Sequence, residues 1–270
     1  MTYRLLALDL DGTLLRSDQR VDEADVAAIA GLQRAGVAVT IITGRLHSGA
    51  LGAAEACAIE GVIGCCEGSH LVELATSRTH HHHPVSVEMS GLVRGAMGDH
   101  QLASFVFDAH GIHHDHAAAP FADYIRTWSP NLRVVEEEVA WATQPLAAVG
   151  IGDVDAVAAA ARIVAGQAEQ LFSVSFPIGR YPGKHALLVR AKGPTKGTAL
   201  TELCRLLGIS VADAVCVGDW VNDIPMFEVA GRSFAMGDAP PAVRAAATDA
   251  LTARAGAGGG IAEAIRRAWG

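Results

Sequence analysis

The sequence predicts an α/β fold: a Rossmann-like parallel-sheet core with an inserted α+β cap domain. Three observations lead there. Continuous apolar, β-branched runs alternate with helical patterns at both ends of the chain, as βαβ units with right-handed crossovers do. The middle of the chain instead carries longer alternating segments suited to antiparallel strands. The residues able to do chemistry fall in four short segments, all in the two ends.

The elements follow in order. Residues 3–9 form a short apolar run ending in Asp9, which predicts a buried strand. A helical pattern runs from Asp22 to Ala35 and stops at Gly36. VAVTIIT, 37–43, predicts a strand buried on both faces. Residues 46–58 predict a helix, and GVIGCC the next strand of the same rhythm. Beyond the middle, 195–207 predicts a helix stopped by Gly208. DAVCVGD, 213–219, predicts a strand ending in Asp219. A short helix over 222–230, a strand at SFAMG and a closing helix over 260–269 complete the core.

The stretch from about 78 to 190 reads differently. SFVFDAHGIHHDH predicts a hairpin turning at Ala109–Gly111. PLAAVGI and FSVSF predict strands, with a helix between them. The domains are therefore expected at 1–78 and 190–270 for the core and 79–189 for the insertion.

Composition narrows the function. Half of the 270 residues are hydrophobic, enough for a substantial core, and only 5% are aromatic. The net charge of −8 argues against non-specific nucleic-acid binding, which needs clustered cations. Five cysteines with no CxxC pair predict no disulfide framework and fit a reducing, cytoplasmic setting. Asp9 and Asp11 interrupt the N-terminal apolar run, so no secretory signal is expected. No apolar stretch approaches the ~20 residues of a membrane span.

The first chemical segment is DLDGT, Asp9 to Thr13. Two carboxylates leaving a buried strand together are costly without a cation or hydrogen bonds. A hard, oxygen-seeking ion such as Mg²⁺ compensates them. The second is Thr43–Gly44–Arg45, where a hydroxyl, a glycine amide and a helix start make an anion cradle. The third is TKGTAL. Lys196 opens a helix there, against the dipole, which hints at an anion nearby. The fourth is GDWVND, with Asp219, Asn222 and Asp223 at another strand end. Each segment alone also reads as an ordinary turn or cap.

Together, DxDGT, a strand-end Thr, a Lys and GDxxND resemble the haloacid dehalogenase-like hydrolase superfamily. KGTAL, GDWVNDIPMF and AMGDAP before GAGGGIAEAI resemble its Cof-type branch. The resemblance covers about 1–75 and 190–270. It implies that Asp9 is the nucleophile and forms an aspartyl phosphate, and that Asp11 is the general acid and base. It implies a phosphate cradle of Thr43, Gly44, Arg45 and Asn222, with Lys196 as countercharge. Mg²⁺ would bind Asp9, the Asp11 carbonyl and Asp219, with Asp223 in support. The implied activity is hydrolysis of a small phosphorylated metabolite, a sugar phosphate or similar, with no nucleic-acid or membrane partner. A monomer or homodimer is expected. A phosphotransferase or mutase would use the same aspartyl phosphate, and a non-catalytic phospho-ligand sensor the same cradle.

About thirty residues separate Asp11 from Thr43, and about 150 separate Thr43 from Lys196. The second gap far exceeds an ordinary crossover, so the inserted domain belongs there. One departure stands out. Relatives usually carry Asn-Gly after the third strand, where this chain has Glu67–Gly68. His80 to His83 and the cluster His110, His113, His114 and His116 read as a solvated linker and a hairpin edge, with metal binding the alternative.

Overall fold

The structure, a computed structural model, describes residues 3–270. It divides into two compact units. The first holds the residues up to Gly44, Ala50–His81 and Pro194–Gly270. The second holds Arg45–Gly49 and His82–Gly193.

The first unit opens with β1, Leu5–Leu8, all four residues buried. Helix α1, Glu23–Arg34, starts where the Asp22 carboxylate accepts the Ala24 amide at 2.9 Å. That bond satisfies one of the orphan donors of the first turn. Strand β2, Ala38–Ile41, and helix α2, His47–Ala56, come next. Strands β3, Val62–Cys65, β4, His70–Glu73, and β5, Thr79–His82, make a separate three-stranded sheet.

This last sheet corrects an expectation. GVIGCC is a strand, but it does not extend the parallel sheet. Its backbone pairs with β2's exit at the isolated Ile42–Gly64 bridge, not along a ladder. Its other edge is taken by β4, antiparallel, with Gly64 opposite Leu71. The Thr40 hydroxyl also donates to the Val62 carbonyl at 2.8 Å, so a side chain occupies an acceptor that a ladder would need. The four-histidine run is likewise no linker, because His80 to His82 belong to β5.

In the second unit, α3, Val87–Asp99, leads into β6, Ala103–Phe107, and β7, Ile112–His114. Short helix α4, Ala122–Ile125, strand β8, Leu132–Val134, and helix α5, Glu137–Trp141, follow. Then come β9, Ala147–Asp153, α6, Val154–Ala165, β10, Leu171–Pro177, and β11, Lys184–Ala191. The six strands form one sheet in the order β10-β11-β9-β6-β7-β8. Every pairing is antiparallel except β7 with β8. The β6–β7 turn is closed by Asp108, whose carboxylate accepts the amides of His110 and Gly111 at 2.8 and 2.9 Å. Of the hairpin histidines, His110 and His116 are exposed, as expected, but His113 and His114 are not on a solvated edge. His113 and His114 are buried. The His113 Nε2–H donates to Asp108 at 2.9 Å, and the His114 Nδ1–H to the Asp115 carbonyl at 2.8 Å. Those bonds offset part of the cost of burying two polar rings, though His113 Nδ1 meets no protein partner among the described residues.

The chain then returns to the first unit. Helix α7, Lys196–Leu207, strand β12, Ala214–Gly218, and helix α8, Ile224–Val229, are followed by β13, Arg232–Ala235. Helix α9, Pro241–Ala246, strand β14, Asp249–Ala250, and helix α10, Gly260–Trp269, close the fold. The main sheet is wholly parallel, in the order β14-β13-β12-β1-β2. Its central strands β1 and β12 are buried throughout, which is why they read as unbroken apolar runs. All five cysteines are free and buried, and burial pushes the Cys57 and Cys204 thiols up to about 11. They act as small core side chains. No helix among the described residues is long and apolar enough to cross a membrane.

One buried acid ties the two chain ends together. Asp25 on α1 is fully buried and accepts the amides of Gly259 and Ala262, at 2.9 and 2.7 Å, at the start of α10. Removing it leaves two donors without an acceptor. Asp25→Ala is expected to cost about 2–4 kcal/mol in denaturant unfolding, and Asp25→Asn less, since one acceptor oxygen survives. Equal, negligible effects of both would remove this link.

Candidate active site

The parallel pairing decides where the acids meet. Leu8 lies opposite Ile41 on one side and Val217 on the other. The chain therefore leaves β1, β2 and β12 at one level of the sheet. Asp9 follows β1 directly, Thr43 follows β2 by two residues, and Asp219 follows β12 directly. Ligand crevices of open α/β sheets form at such carboxyl ends.

Lys196 sits at the first position of α7. Thr195 caps that helix, its hydroxyl accepting the Thr198 amide while the Thr198 hydroxyl accepts the Thr195 amide. This reciprocal capping box fixes the helix start and aims Lys196 inward. The ammonium is 1% exposed. It donates to Asp9 Oδ1 at 2.5 Å and to Asp223 Oδ1 at 2.6 Å. Asp223 Oδ2 in turn accepts the amides of Asp219 and Trp220 at 2.8 and 2.9 Å. Asp223 thus holds the lysine with one oxygen and the loop carrying Asp219 with the other. Thr13, assigned no role from sequence, donates from its hydroxyl to Asp219 Oδ1 at 3.3 Å. Gly12, with φ of +83°, lets the chain turn under the Asp219 carboxylate. Any Cβ there would collide with Oδ2, so the Gly of DLDGT is a steric requirement.

The other expected residues lie as follows. Thr43 is buried; its amide donates to the Gly64 carbonyl at 2.9 Å and its own carbonyl accepts the Glu67 amide at 3.0 Å. Gly44 is exposed. Asn222 donates from Nδ2 to Glu67 Oε1 at 2.9 Å. Asp11 is exposed, and its side chain is not among the gathered carboxylates. Arg45 belongs to the second unit, where its guanidinium donates to the Gly49 carbonyl at 3.3 Å.

The electrostatics are unbalanced. Asp9, Asp219 and Asp223 bring carboxylate oxygens within 4.8 Å of one another, the one such group among the described residues. A single ammonium faces them. Burial raises the Asp9 carboxyl well above the usual carboxylate range; Asp223 and Asp219 push the same way, while Lys196 opposes. Burial, then Asp223, pushes Asp219 up to about 6. Burial alone would lower the Lys196 ammonium, but the charges of Asp9, Asp223 and Glu67 outweigh it and raise its pKa. Such a cluster lacks positive charge. Its donors are all oxygen, the set a hard divalent ion such as Mg²⁺ prefers.

The family model for haloacid dehalogenase-like hydrolases matches residues 6–265. The chain is 28% identical over 264 residues to the pyridoxal phosphate phosphatase YbhA of Escherichia coli, covering 92% of each. It is 24% identical to the phosphatase YwpJ of Bacillus subtilis, covering 92% of this chain and 94% of that one. A crystal structure of a haloacid dehalogenase-like hydrolase from Bacteroides thetaiotaomicron superposes with a TM-score of 0.86 at 21% identity, over 98% of this chain and 99% of that one. The chain belongs to the haloacid dehalogenase-like hydrolases, in their Cof-type branch. It is a phosphatase of that family.

A metal ion held by Asp219 would compete with a proton for its carboxylate. Because its folded pKa is raised to about 6, the carboxylate is free for metal above that pH and protonated below it. Calorimetric titration with Mg²⁺ is expected to give an affinity that weakens as pH falls through about 6. An affinity flat from pH 5 to 8 would exclude Asp219 as a ligand.

Proposed function

We propose that this phosphatase is a Mg²⁺-dependent phosphomonoester hydrolase that works through an aspartyl phosphate on Asp9. The observation that carries the proposal is the Lys196 ammonium, bonded at once to Asp9 and Asp223 inside a buried acidic cluster. A nucleophilic carboxylate has to approach a phosphoryl group that is itself negative, and a fixed countercharge at its oxygen lowers that barrier.

In this proposal Asp9 attacks phosphorus with the oxygen not held by Lys196. Asp11 protonates the leaving alcohol, then deprotonates the water that hydrolyses the aspartyl phosphate. Its exposed position suits an acid that must meet both. Thr43 and Gly44 hold phosphoryl oxygens. Asp9, the Asp11 carbonyl and Asp219 would hold Mg²⁺, with Thr13 and Asp223 orienting Asp219 and its loop. Bound there, Mg²⁺ supplies charge neutralisation for the phosphoryl oxygens. Arg45 is proposed to join the phosphate cradle on the family resemblance alone.

The substrate is proposed to be a small phosphorylated metabolite, with sugar phosphates and pyridoxal phosphate the first to test. The inserted unit, expected over 79–189, is proposed as the module that selects it.

Asp9→Asn is expected to cut hydrolysis of p-nitrophenyl phosphate in Mg²⁺ by about a thousandfold or more, as loss of a covalent nucleophile does. Chelation by EDTA should stop the wild-type enzyme, and added Mg²⁺ should restore it. Near-wild-type turnover by Asp9→Asn would remove the nucleophile assignment.

A further inference from the structure

One carboxylate beside the cluster has no part in the proposed chemistry. Glu67 lies at the turn after β3, in a backbone conformation unusual for its type. Cys66 has φ of +48° and Glu67 φ of +57°, two consecutive non-glycine residues in the left-handed region. That conformation carries strain, and strain of this kind collects at functional sites. The turn is held by the Glu67 amide on the Thr43 carbonyl and the Ser69 amide on the Cys66 carbonyl, both at 3.0 Å.

The side chain is placed with equal definition. A Cβ on Gly44 would stand 2.6 Å from Glu67 Oε1, so the carboxylate lies directly against the Thr43–Gly44 turn. Oε1 accepts the Asn222 Nδ2–H at 2.9 Å. Its charge also reaches Lys196. A carboxylate only accepts hydrogen bonds, so the Asn222 amide nitrogen has to face it. One of the two Nδ2–H donors of Asn222 is therefore committed to Glu67, and its Oδ1 is left as a buried acceptor that no protein donor meets among the described residues.

Both groups on this side of the site thus offer acceptors, Glu67 its whole carboxylate and Asn222 its Oδ1. A phosphate dianion has only acceptors to offer in return, and its charge is repelled by Glu67. A hydroxyl or an ammonium group would be complementary to both. We propose that Glu67, oriented by Asn222, is a specificity-determining residue that recognises a hydrogen-bond donor on the leaving group, close to the phosphate ester. The inference rests on the phosphatase mechanism proposed above and adds a substrate feature to it: alcohols bearing a further hydroxyl or amine near the esterified oxygen. A site built to bond such a donor discriminates strongly against the analogue that lacks it.

The test compares two esters that differ only in hydroxyl groups, glycerol 3-phosphate and n-propyl phosphate, in the presence of Mg²⁺. Wild-type enzyme is expected to favour the glycerol ester in kcat/KM by roughly ten- to a hundredfold, the scale of a hydrogen bond to a charged acceptor. In Glu67→Gln, which keeps the size but not the charge, the ratio should fall about tenfold. In Glu67→Ala it should fall to near one. The ratio is the readout, so a general change in rate or folding that touches both esters equally does not mimic it. An unchanged ratio in both variants would overturn the proposal, and so would a wild-type enzyme with no preference. Tighter competitive inhibition by inorganic phosphate in the variants, at an unchanged ester ratio, would make Glu67 a repulsive charge only and overturn it too. Failure of wild-type enzyme to hydrolyse either ester would instead strike at the phosphatase mechanism beneath it.

Discussion

The structure depends on how a buried lysine, two buried carboxylates and a half-buried third are held together. Lys196 bridges Asp9 and Asp223 from a helix start fixed by Thr195 and Thr198. Asp223 passes that constraint to the loop of Asp219 through two backbone amides. Residues just beyond β1 and β12 and at the start of α7, as far apart in sequence as Asp9 and Asp223, are thereby fixed within a few ångströms. Removing one partner from such a set leaves uncompensated charge in the interior, which is far costlier than losing an exposed pair. The same imbalance, three acids against one ammonium, is what a bound cation would offset.

The sheet makes this cluster possible. Parallel strands with continuous apolar sequences must be covered on both faces, so polar groups are confined to the strand ends. Asp9 and Asp219 are the first residues beyond two neighbouring buried strands, and the register brings them out side by side. The core could not hold these acids one residue earlier without burying charge in the sheet. Function and fold therefore share one constraint, the alignment of β1 with β12.

Much of this was legible in the sequence, for physical reasons. Apolar runs ending in Asp9 and Asp219, and a lysine misplaced at a helix start, are local signals that survive without coordinates. The parallel sheet followed from the strand–helix rhythm. What was not legible depended on partners distant in sequence. GVIGCC has the composition of a core strand, and only its pairing with His70–Glu73 shows that it belongs to another sheet. His113 and His114 of the β6–β7 hairpin look solvent-bound until Asp108 and Asp115 are seen accepting from them. Thr13 sat inside a recognised segment, yet its bond to Asp219 spans 206 positions. Glu67 was visible as a departure, but its meaning came from its contact with Asn222.

The claim at the centre of the account is covalent chemistry at Asp9. It is tested most directly by quenching the wild-type enzyme in acid during turnover and reducing it with borohydride, which converts a phosphorylated aspartate to homoserine. Mass spectrometry of the peptide containing LLALDLDGTL is expected to find homoserine at position 9. Homoserine at another acid, or none while phosphate is being released, would contradict the account.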